Sequence, residues 1–244
     1  MFDGIFVVGT GRSGTHFVCR SLRGFANAYD PLNGNESTPL LKEIAQAAIA
    51  HQSFPQFARN YYLKVNKSRD RASIFIDQHH PNLFFCGELL NIFEKPIFLF
   101  PNRPIIQIVA SMLNHKGVMA WYEYARRESL PFPNRFLGLN DISQIESEKL
   151  NEVCTRRVLA HFAMAKEMQD SGVDLRLINY ENLVRNQAEE FAKVFSSSEL
   201  AALGNFTVKE ESENSSLTKY RETLSESDIA DIQRLVNELA SWPT

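Results

Sequence analysis

The sequence predicts an α/β fold in which helices flank both faces of a central, mainly parallel sheet. Short runs made almost entirely of apolar residues are typical of strands that are buried on both faces. Segments with apolar residues at helical spacing follow these runs, and strands that alternate with helices form parallel sheets. The chain has 244 residues, of which 44% are hydrophobic and 23% are charged, as in globular proteins. We expect one domain that spans residues 1–244.

The predicted elements follow one another along the whole chain. Short apolar runs predict strands at residues 5–8, 73–77, 96–100 and 175–179. Helical spacing predicts helices at residues 17–25, 81–93, 105–114, 146–170 and 182–195. Ser225 and Asp228 form the capping pattern of a last helix. Residues 28–39 and 126–141 are rich in Pro, Gly and Asn, which predicts long loops of the kind that form lids or substrate walls.

Charge and composition exclude several classes of function. The chain has 26 Lys and Arg against 29 Asp and Glu, a formal net charge of −3, so no general basic field attracts nucleic acid or an anionic membrane. It lacks an apolar stretch of the roughly 20 residues that span a bilayer. It also lacks the basic and apolar regions of a secretory signal. Cys19, Cys86 and Cys154 are too few and too widely spaced for a disulfide framework or a zinc site. We expect a cytoplasmic protein, either a monomer or a homodimer.

The most informative segment is the glycine-rich stretch GTGRSGTH at residues 9–16. It joins a predicted buried strand to a predicted helix, an arrangement in which backbone N–H groups and the helix dipole favour an anion. The common nucleoside triphosphate loop, GxxxxGK[ST], would have Lys in place of Thr15 and a metal-binding hydroxyl in place of His16. Here the cation is Arg12, within the loop. The sequence therefore predicts a phosphate site that does not require a metal ion.

Three other interpretations of this stretch stay open. Gly9, Gly11 and Gly14 also match the GxGxxG spacing of dinucleotide-binding proteins, although no acidic residue ends the next strand about 20 residues on. A metal-dependent P-loop kinase or NTPase is the second alternative, and it conflicts with the residues at positions 15 and 16. A turn with a purely structural role is the third.

Two motifs resemble the sulfotransferases that use 3′-phosphoadenosine-5′-phosphosulfate (PAPS). The family's 5′-phosphosulfate loop, in which Arg or Lys precedes Ser-Gly-Thr, is similar to Gly11, Arg12, Ser13, Gly14 and Thr15. The family's 3′-phosphate motif has an Arg at a strand end and a Ser eight positions later, as Arg103 and Ser111 have here. The chain departs from the pattern at Pro104, which directly follows Arg103, and at His16, which replaces a second Thr.

Two weaker matches extend the resemblance to residues 5–235. Residues 177–184 are similar to a Tyr-Glu-x-Leu segment after a late strand, and residues 219–225 to a basic, aromatic turn before the last helix. Lys219 and Arg221 in that turn would close over the 3′-phosphate or the adenine, or else are solvated surface charges. The resemblance implies a three-layer fold like that of the P-loop NTPases.

The resemblance also implies an activity, which is transfer of a sulfuryl group from PAPS to a hydroxyl or amine of a small-molecule or carbohydrate acceptor. The product would be 3′-phosphoadenosine-5′-phosphate (PAP), and no metal is required. The loop from Gly11 to His16 would hold the 5′-phosphosulfate, with Arg12 stabilising charge on the leaving phosphate. Arg103 and Ser111 would hold the 3′-phosphate, unless they form a surface ion pair and an intrahelical bond. A protein that binds the nucleotide without transfer is a further alternative.

Transfer needs a base to accept the proton of the attacking hydroxyl. Residues 77–81, DQHHP, resemble the family's Lys-Thr-His-x-Pro segment, in which the position of the catalytic histidine matches His79. Asp77 stands where the family has Lys. Other branches use a carboxylate after the first helix, so Asp30 and Glu36 are rival candidates. His80 is expected to cap the helix that follows it.

Overall fold

The computed structural model describes residues 2–209 and 215–239. Within them, one five-stranded parallel sheet has the strand order β2-β3-β1-β4-β5. Its strands are β1 (Gly4–Val7), β2 (Ala28–Tyr29), β3 (Ile74–Asp77), β4 (Pro96–Asn102) and β5 (Leu175–Asn179). The four predicted strands are confirmed. The two-residue edge strand β2 lies in a segment that was predicted to be a loop.

Helices cover both faces of this sheet. They are α1 (Thr15–Leu22), α2 (Thr38–Ile49), α3 (Gln56–Ser68), α4 (Cys86–Leu90), α5 (Ile105–Leu113), α6 (Lys116–Arg127), α7 (Gln144–Ser147), α8 (Leu150–Asp170), α9 (Tyr180–Arg185), α10 (Gln187–Val194), α11 (Ser197–Leu203), α12 (Ser215–Thr218), α13 (Tyr220–Thr223) and α14 (Glu226–Leu239). This arrangement confirms the predicted three-layer α/β fold. No helix in the described part of the chain is long and apolar enough to cross a membrane.

The alternation of side chains along each strand explains the continuous apolar runs. In β1, Phe6 lies on one face in an aromatic cluster, with its ring 5.0 Å from Phe93 and 5.5 Å from Phe98. Its neighbours Ile5 and Val7 lie on the opposite face, in the core that includes residues of α1 and α9. Because successive residues of a strand point to opposite faces, a sheet covered on both sides requires apolar residues at every position.

Several predicted helices have different bounds from those expected. The segment 81–93 forms a 3₁₀ helix at His80–Phe85 followed by the short α4. The segment 182–195 is divided at Asn186, because its side chain accepts a hydrogen bond from the Glu189 N–H and so caps a new helix. The segment 146–170 is likewise divided into α7 and α8. The cap of the last helix is confirmed, since Ser225 and Asp228 exchange hydrogen bonds.

The parallel sheet brings the predicted functional segments to one edge. The glycine loop follows β1, the DQHHP segment follows β3, Arg103 follows β4 and Tyr180 follows β5. The carboxyl ends of parallel strands lie at the same edge, which is where open α/β sheets bind ligands.

Candidate active site

The glycine loop is held in shape by its own buried residues. Ser13 is fully buried, and its hydroxyl donates a 2.8 Å hydrogen bond to the carbonyl oxygen of Thr10. Arg12 has a φ of 78°, in the left-handed region, and its side chain reaches Ser111 in α5. Gly14, with a φ of 104°, allows the ring of Tyr180 to approach so closely that a Cβ would overlap it. Helix α1 then begins at Thr15 without a side-chain cap, so its first N–H groups are suited to an anion.

The two predicted phosphate motifs contact each other. Arg12 Nε donates to Ser111 Oγ at 3.1 Å, across 99 residues of sequence. Arg103 Nη1 donates to the carbonyl oxygen of Arg12 at 3.1 Å, and its Nε donates to Gln107 Oε1 at 3.0 Å. Residues that were assigned to the two ends of one nucleotide therefore lie in a single cluster.

Tyr180 and Glu181, from the weaker Tyr-Glu match, support this cluster. The guanidinium of Arg103 lies 4.6 Å from the centre of the Tyr180 ring, and Gln107 Nε2 donates to Glu181 Oε1 at 2.8 Å. Burial lowers the pKa of Arg12 and of Arg103, and the neighbouring Tyr180 opposes this effect in both cases. Both guanidinium groups keep their charge at neutral pH, because the ordinary pKa of arginine lies far above neutrality.

The arginine cluster lines a cavity of about 350 Å³, which we call the Arg103 cavity. Its walls include Arg12, Arg103, Ser111, Tyr180, Lys219 and Tyr220. The predicted site residue Lys219 thus faces the two arginines. Arg221 instead lies against Tyr220, with its guanidinium 5.7 Å from the ring centre.

A second cavity of about 260 Å³, the Arg157 cavity, lies beside the first. Gly11, Thr15, His16, Glu36, His80 and Trp121 are among its lining residues, together with Arg157 from α8. Arg12 and His115 line both cavities. The predicted phosphate-binding residues are therefore divided between the two cavities. Arg103, Ser111 and Lys219 line the first, residues of the glycine loop line the second beside candidate bases and an aromatic wall, and Arg12 lines both.

The predicted base His79 is enclosed within the protein. Its side chain has no exposed surface, its Nδ1 lies 2.7 Å from Asp77 Oδ1, and its Nε2 accepts a 3.1 Å hydrogen bond from the Ser37 N–H. Burial lowers the pKa of His79, but the charge and hydrogen bond of Asp77 outweigh it and raise the pKa above the ordinary value. With both ring nitrogens engaged, this histidine connects β3 to the start of α2.

His80 faces the Arg157 cavity instead. A Cβ placed on Gly11 would lie 3.4 Å from His80 Nε2, so the imidazole adjoins the glycine loop. Burial and the positive charge of Arg157 lower the pKa of His80 well below 6.5, and His161, His16 and His79 act in the same direction. The ring is therefore neutral at physiological pH and able to accept a proton. The expected role in helix capping is wrong, because the 3₁₀ helix that begins at His80 has no side-chain cap.

The two acidic candidates lie in different surroundings. Asp30 is nearly buried, and its oxygens accept hydrogen bonds from the N–H groups of Leu32 and Gly34, so it shapes the loop before α2. Glu36 lines the Arg157 cavity, where its Oε2 lies 3.4 Å from His16 Nε2. Of the two carboxylates, Glu36 is the one that adjoins the glycine loop.

Sequence reasoning missed His115, the orientation of His80 and the position of Arg157. One pattern in the sequence could have identified Arg157. Cys154, Arg157, Val158 and His161 recur at spacings of three and four, and all are buried. A charged residue on the apolar face of a long helix is unusual, so this spacing marks Arg157 as a candidate functional residue.

Comparison with solved structures identifies the fold. No protein-family model and no curated protein sequence matches the chain. A sulfotransferase from Alicyclobacillus acidocaldarius has a similar structure, with a TM-score of 0.52, 15% identity, and coverage of 98% of this chain and 96% of that one. The sulfotransferase domain from the curacin biosynthetic pathway has a TM-score of 0.52 and 12% identity, and the match covers 100% of this chain and 99% of that one.

A retinol dehydratase in complex with androsterone and inactive cofactor PAP also aligns with the chain. Its TM-score of 0.36 and identity of 10%, over 99% of this chain and 82% of that one, are too low to support an argument. The two closer similarities extend over almost the full length of the proteins compared. Together with the parallel sheet and the glycine loop after β1, they show that this chain has the sulfotransferase fold.

Proposed function

We propose that the protein is a sulfotransferase that moves a sulfuryl group from PAPS to a hydroxyl or amine of a small-molecule or carbohydrate acceptor. One observation carries the proposal. Arg12 and Arg103, from two motifs more than 90 positions apart in the chain, are joined by a hydrogen bond and line the same cavity, next to a second cavity with neutral His80.

The positive charges around the Arg103 cavity match the negative charges of a doubly phosphorylated nucleotide. Three cationic side chains, Arg12, Arg103 and Lys219, line it together with the hydroxyl of Ser111. Arginine binds phosphate oxygens through two parallel hydrogen bonds, and the Lys ammonium adds a point charge. Arg103, Ser111 and Lys219 would hold the 3′-phosphate, and the loop from Gly11 to Thr15 would hold the phosphosulfate. Bound PAPS would supply an electrophilic sulfur and a phosphate leaving group.

His80 is the general base in this proposal. Its Nε2 adjoins Gly11, it is neutral, and it faces the cavity in which an acceptor hydroxyl would lie. The proton of that hydroxyl passes to the imidazole as the oxygen attacks. Glu36 lines the same cavity and is the alternative base.

Arg12 is the electrostatic catalyst. Because it lines both cavities, its guanidinium lies at the boundary between the nucleotide and the acceptor. Negative charge develops on the leaving phosphate during transfer, and a cation that is already in position stabilises it without reorganisation.

Calorimetric titration with PAP and with adenosine monophosphate tests the nucleotide site. PAP should bind more tightly by about tenfold to a hundredfold, because a charge-assisted hydrogen bond is worth about 1.5–3 kcal/mol. Arg103→Met should remove most of this preference. Lys193→Met, in an exposed ion pair with Glu189, is the control and should keep it. Equal affinity for the two nucleotides, or no binding of either, contradicts the proposal. Incubation with PAPS and a panel of acceptors, with products detected by mass, then separates an enzyme from a binding protein.

A further inference from the structure

Arg157 is a buried cation without a matching anion. The residue is 1% exposed, and its Nε and Nη1 have no hydrogen-bond partner among the described residues. Its guanidinium lies 4.7 Å from the centre of the Phe136 ring and adjoins the hydroxyl of Tyr122. Burial raises the pKa of Tyr122, so this hydroxyl is neutral. Neither neighbour supplies a negative charge.

Keeping such a group has a thermodynamic cost. A charge that is removed from water destabilises the fold unless a counter-charge or hydrogen bonds compensate for it. Buried polar groups in native proteins are nearly always paired, so a guanidinium with two nitrogens that lack a partner among the described residues calls for a functional explanation.

The surroundings of Arg157 favour an external anion. The Arg157 cavity is lined by nitrogen bases and cations, which include Arg12, His16, His80 and His115. Glu36 is the acid in this lining, and it lies next to His16. Trp121 and Val118 provide an apolar wall. The cavity therefore combines an unneutralised positive charge with a surface suited to a carbon skeleton.

We propose that the acceptor is a small hydroxylated compound with an anionic group of its own, and that Arg157 binds this group. The inference rests on the proposed function and narrows its acceptor class. The cavity of about 260 Å³ lies below the range of roughly 300–1,000 Å³ of typical ligand pockets, which favours a small acceptor. Carboxylates and phosphate esters share the chemistry that a guanidinium recognises.

Binding of matched aromatic probes tests the site directly. Benzoate and benzamide have the same shape but differ in charge, and both are titrated into the PAP-saturated protein. Benzoate should bind more tightly than benzamide by a factor of about ten or more. This factor corresponds to one charge-assisted hydrogen bond of about 1.5–3 kcal/mol. Phenyl phosphate in a third titration shows which of the two anions the site prefers.

Variants at adjacent positions of α8 provide the control. Arg157→Met should abolish the preference for benzoate, and Arg157→Lys should keep part of it because the charge remains. Arg156→Met should leave it unchanged, since Arg156 pairs with Glu148 at 2.6 Å and does not belong to the cavity lining. All three variants should bind PAP as the unmodified protein does.

The outcomes separate the two proposals. Failure of the unmodified protein to bind PAP overturns the proposed function. Equal binding of benzoate and benzamide to a protein that does bind PAP overturns only the role of Arg157. A loss of PAP affinity in Arg157→Met also overturns that role, because it assigns the guanidinium to the donor. If transfer is active, 3-hydroxybenzoate should exceed 3-hydroxybenzamide in kcat/KM by the same factor, and Arg157→Met should remove the difference.

Discussion

At the scale of single residues, the adjacent histidines at the end of β3 have different surroundings. His79 is enclosed by Asp77 and by the N–H of Ser37, whereas His80 borders a cavity. The sequence pattern favours His79 as the base, because it occupies the matching position in DQHHP. The geometry favours His80, because a base must reach the proton that it accepts.

Alanine variants distinguish these two residues. His80→Ala should lower kcat by about a hundredfold to ten-thousandfold, the usual contribution of a general base, with little change in stability. His79→Ala should lower the free energy of unfolding by about 1–3 kcal/mol, because it leaves Asp77 Oδ1 and the Ser37 N–H without a partner in the interior. Steady-state kinetics and urea denaturation of both variants give the comparison. Normal kcat in His80→Ala would exclude it as the base.

The low pKa of His80 predicts the pH dependence of transfer. A base acts in its neutral form, and burial together with Arg157 and the neighbouring histidines keeps His80 neutral to well below pH 6.5. We therefore expect kcat to stay constant from pH 8 down through 6.5 and to fall only at lower pH. In Arg157→Met a positive neighbour is lost, so the acidic limb should move to higher pH. A limb at or above pH 6.5 in the unmodified protein would contradict this assignment.

At the scale of elements, the contact between the glycine loop and the start of α9 fixes the site. Tyr180 packs against Gly14 and lies under Arg103, and its ring is 5.9 Å from that of Phe17 in α1. The same residue thus touches the loop, the first helix and the second phosphate motif. A change at this ring should therefore affect the loop and Arg103 together.

Two glycine variants test this contact. Gly14→Ala should lower both stability and PAP affinity, because its Cβ would overlap Tyr180 and because alanine disfavours a φ of 104°. Gly172→Ala is the matched control. Gly172 also has a positive φ, of 88°, but a Cβ there meets nothing within 4 Å. It should lose only about 1–2 kcal/mol of stability and should keep normal PAP affinity. Equal effects of the two substitutions on PAP binding would refute a specific role for the Gly14–Tyr180 contact.

Local patterns predicted four strands of the sheet and the glycine loop after β1, whereas the pair of Arg103 and Ser111 came from the resemblance to a known family. Apolar runs identify buried strands, and the parallel arrangement then brings Arg12 and Arg103 to one edge without any knowledge of side-chain contacts. The orientation of His80 was not predictable in this way. The contacts that distinguish His80 from His79 are long-range, such as the hydrogen bond that His79 accepts from the N–H of Ser37, 42 residues away in sequence.

Helix bounds were the least predictable feature. The division between α9 and α10 depends on a single cap at Asn186, and apolar periodicity continues across it. The long segment that was predicted as the loop 28–39 contains the edge strand β2, whose two residues are too few to form a recognisable pattern.

At the scale of the whole molecule, the net charge of the chain is negative, whereas the charge around the Arg103 cavity is positive. The chain carries a formal charge of −3, whereas cationic side chains line the Arg103 cavity. An anionic nucleotide is therefore attracted by the site itself, and salt should weaken its binding less than it weakens binding to an exposed basic surface.

Nucleotide binding should also stabilise the fold. PAP at 100 times its Kd adds about 2.7 kcal/mol to the free energy of unfolding. For a chain of this size, each kcal/mol raises Tm by about 2–4 °C, so an increase of about 5–10 °C is expected. Adenosine monophosphate at the same concentration should give a smaller increase. Differential scanning fluorimetry measures both, and equal increases would count against recognition of the 3′-phosphate.

Arg12 belongs to the walls of both cavities, so the two compartments are not energetically independent. A donor that bound this guanidinium in one cavity, as proposed above, would change the electrostatic field in the neighbouring cavity and so the affinity of that cavity for its own ligand. Such coupling is reciprocal by thermodynamic necessity: the acceptor must alter the affinity for the donor by the same factor. If the protein carries out the proposed transfer, the shared wall would make the affinity of each cavity for its ligand depend on whether the other cavity is filled.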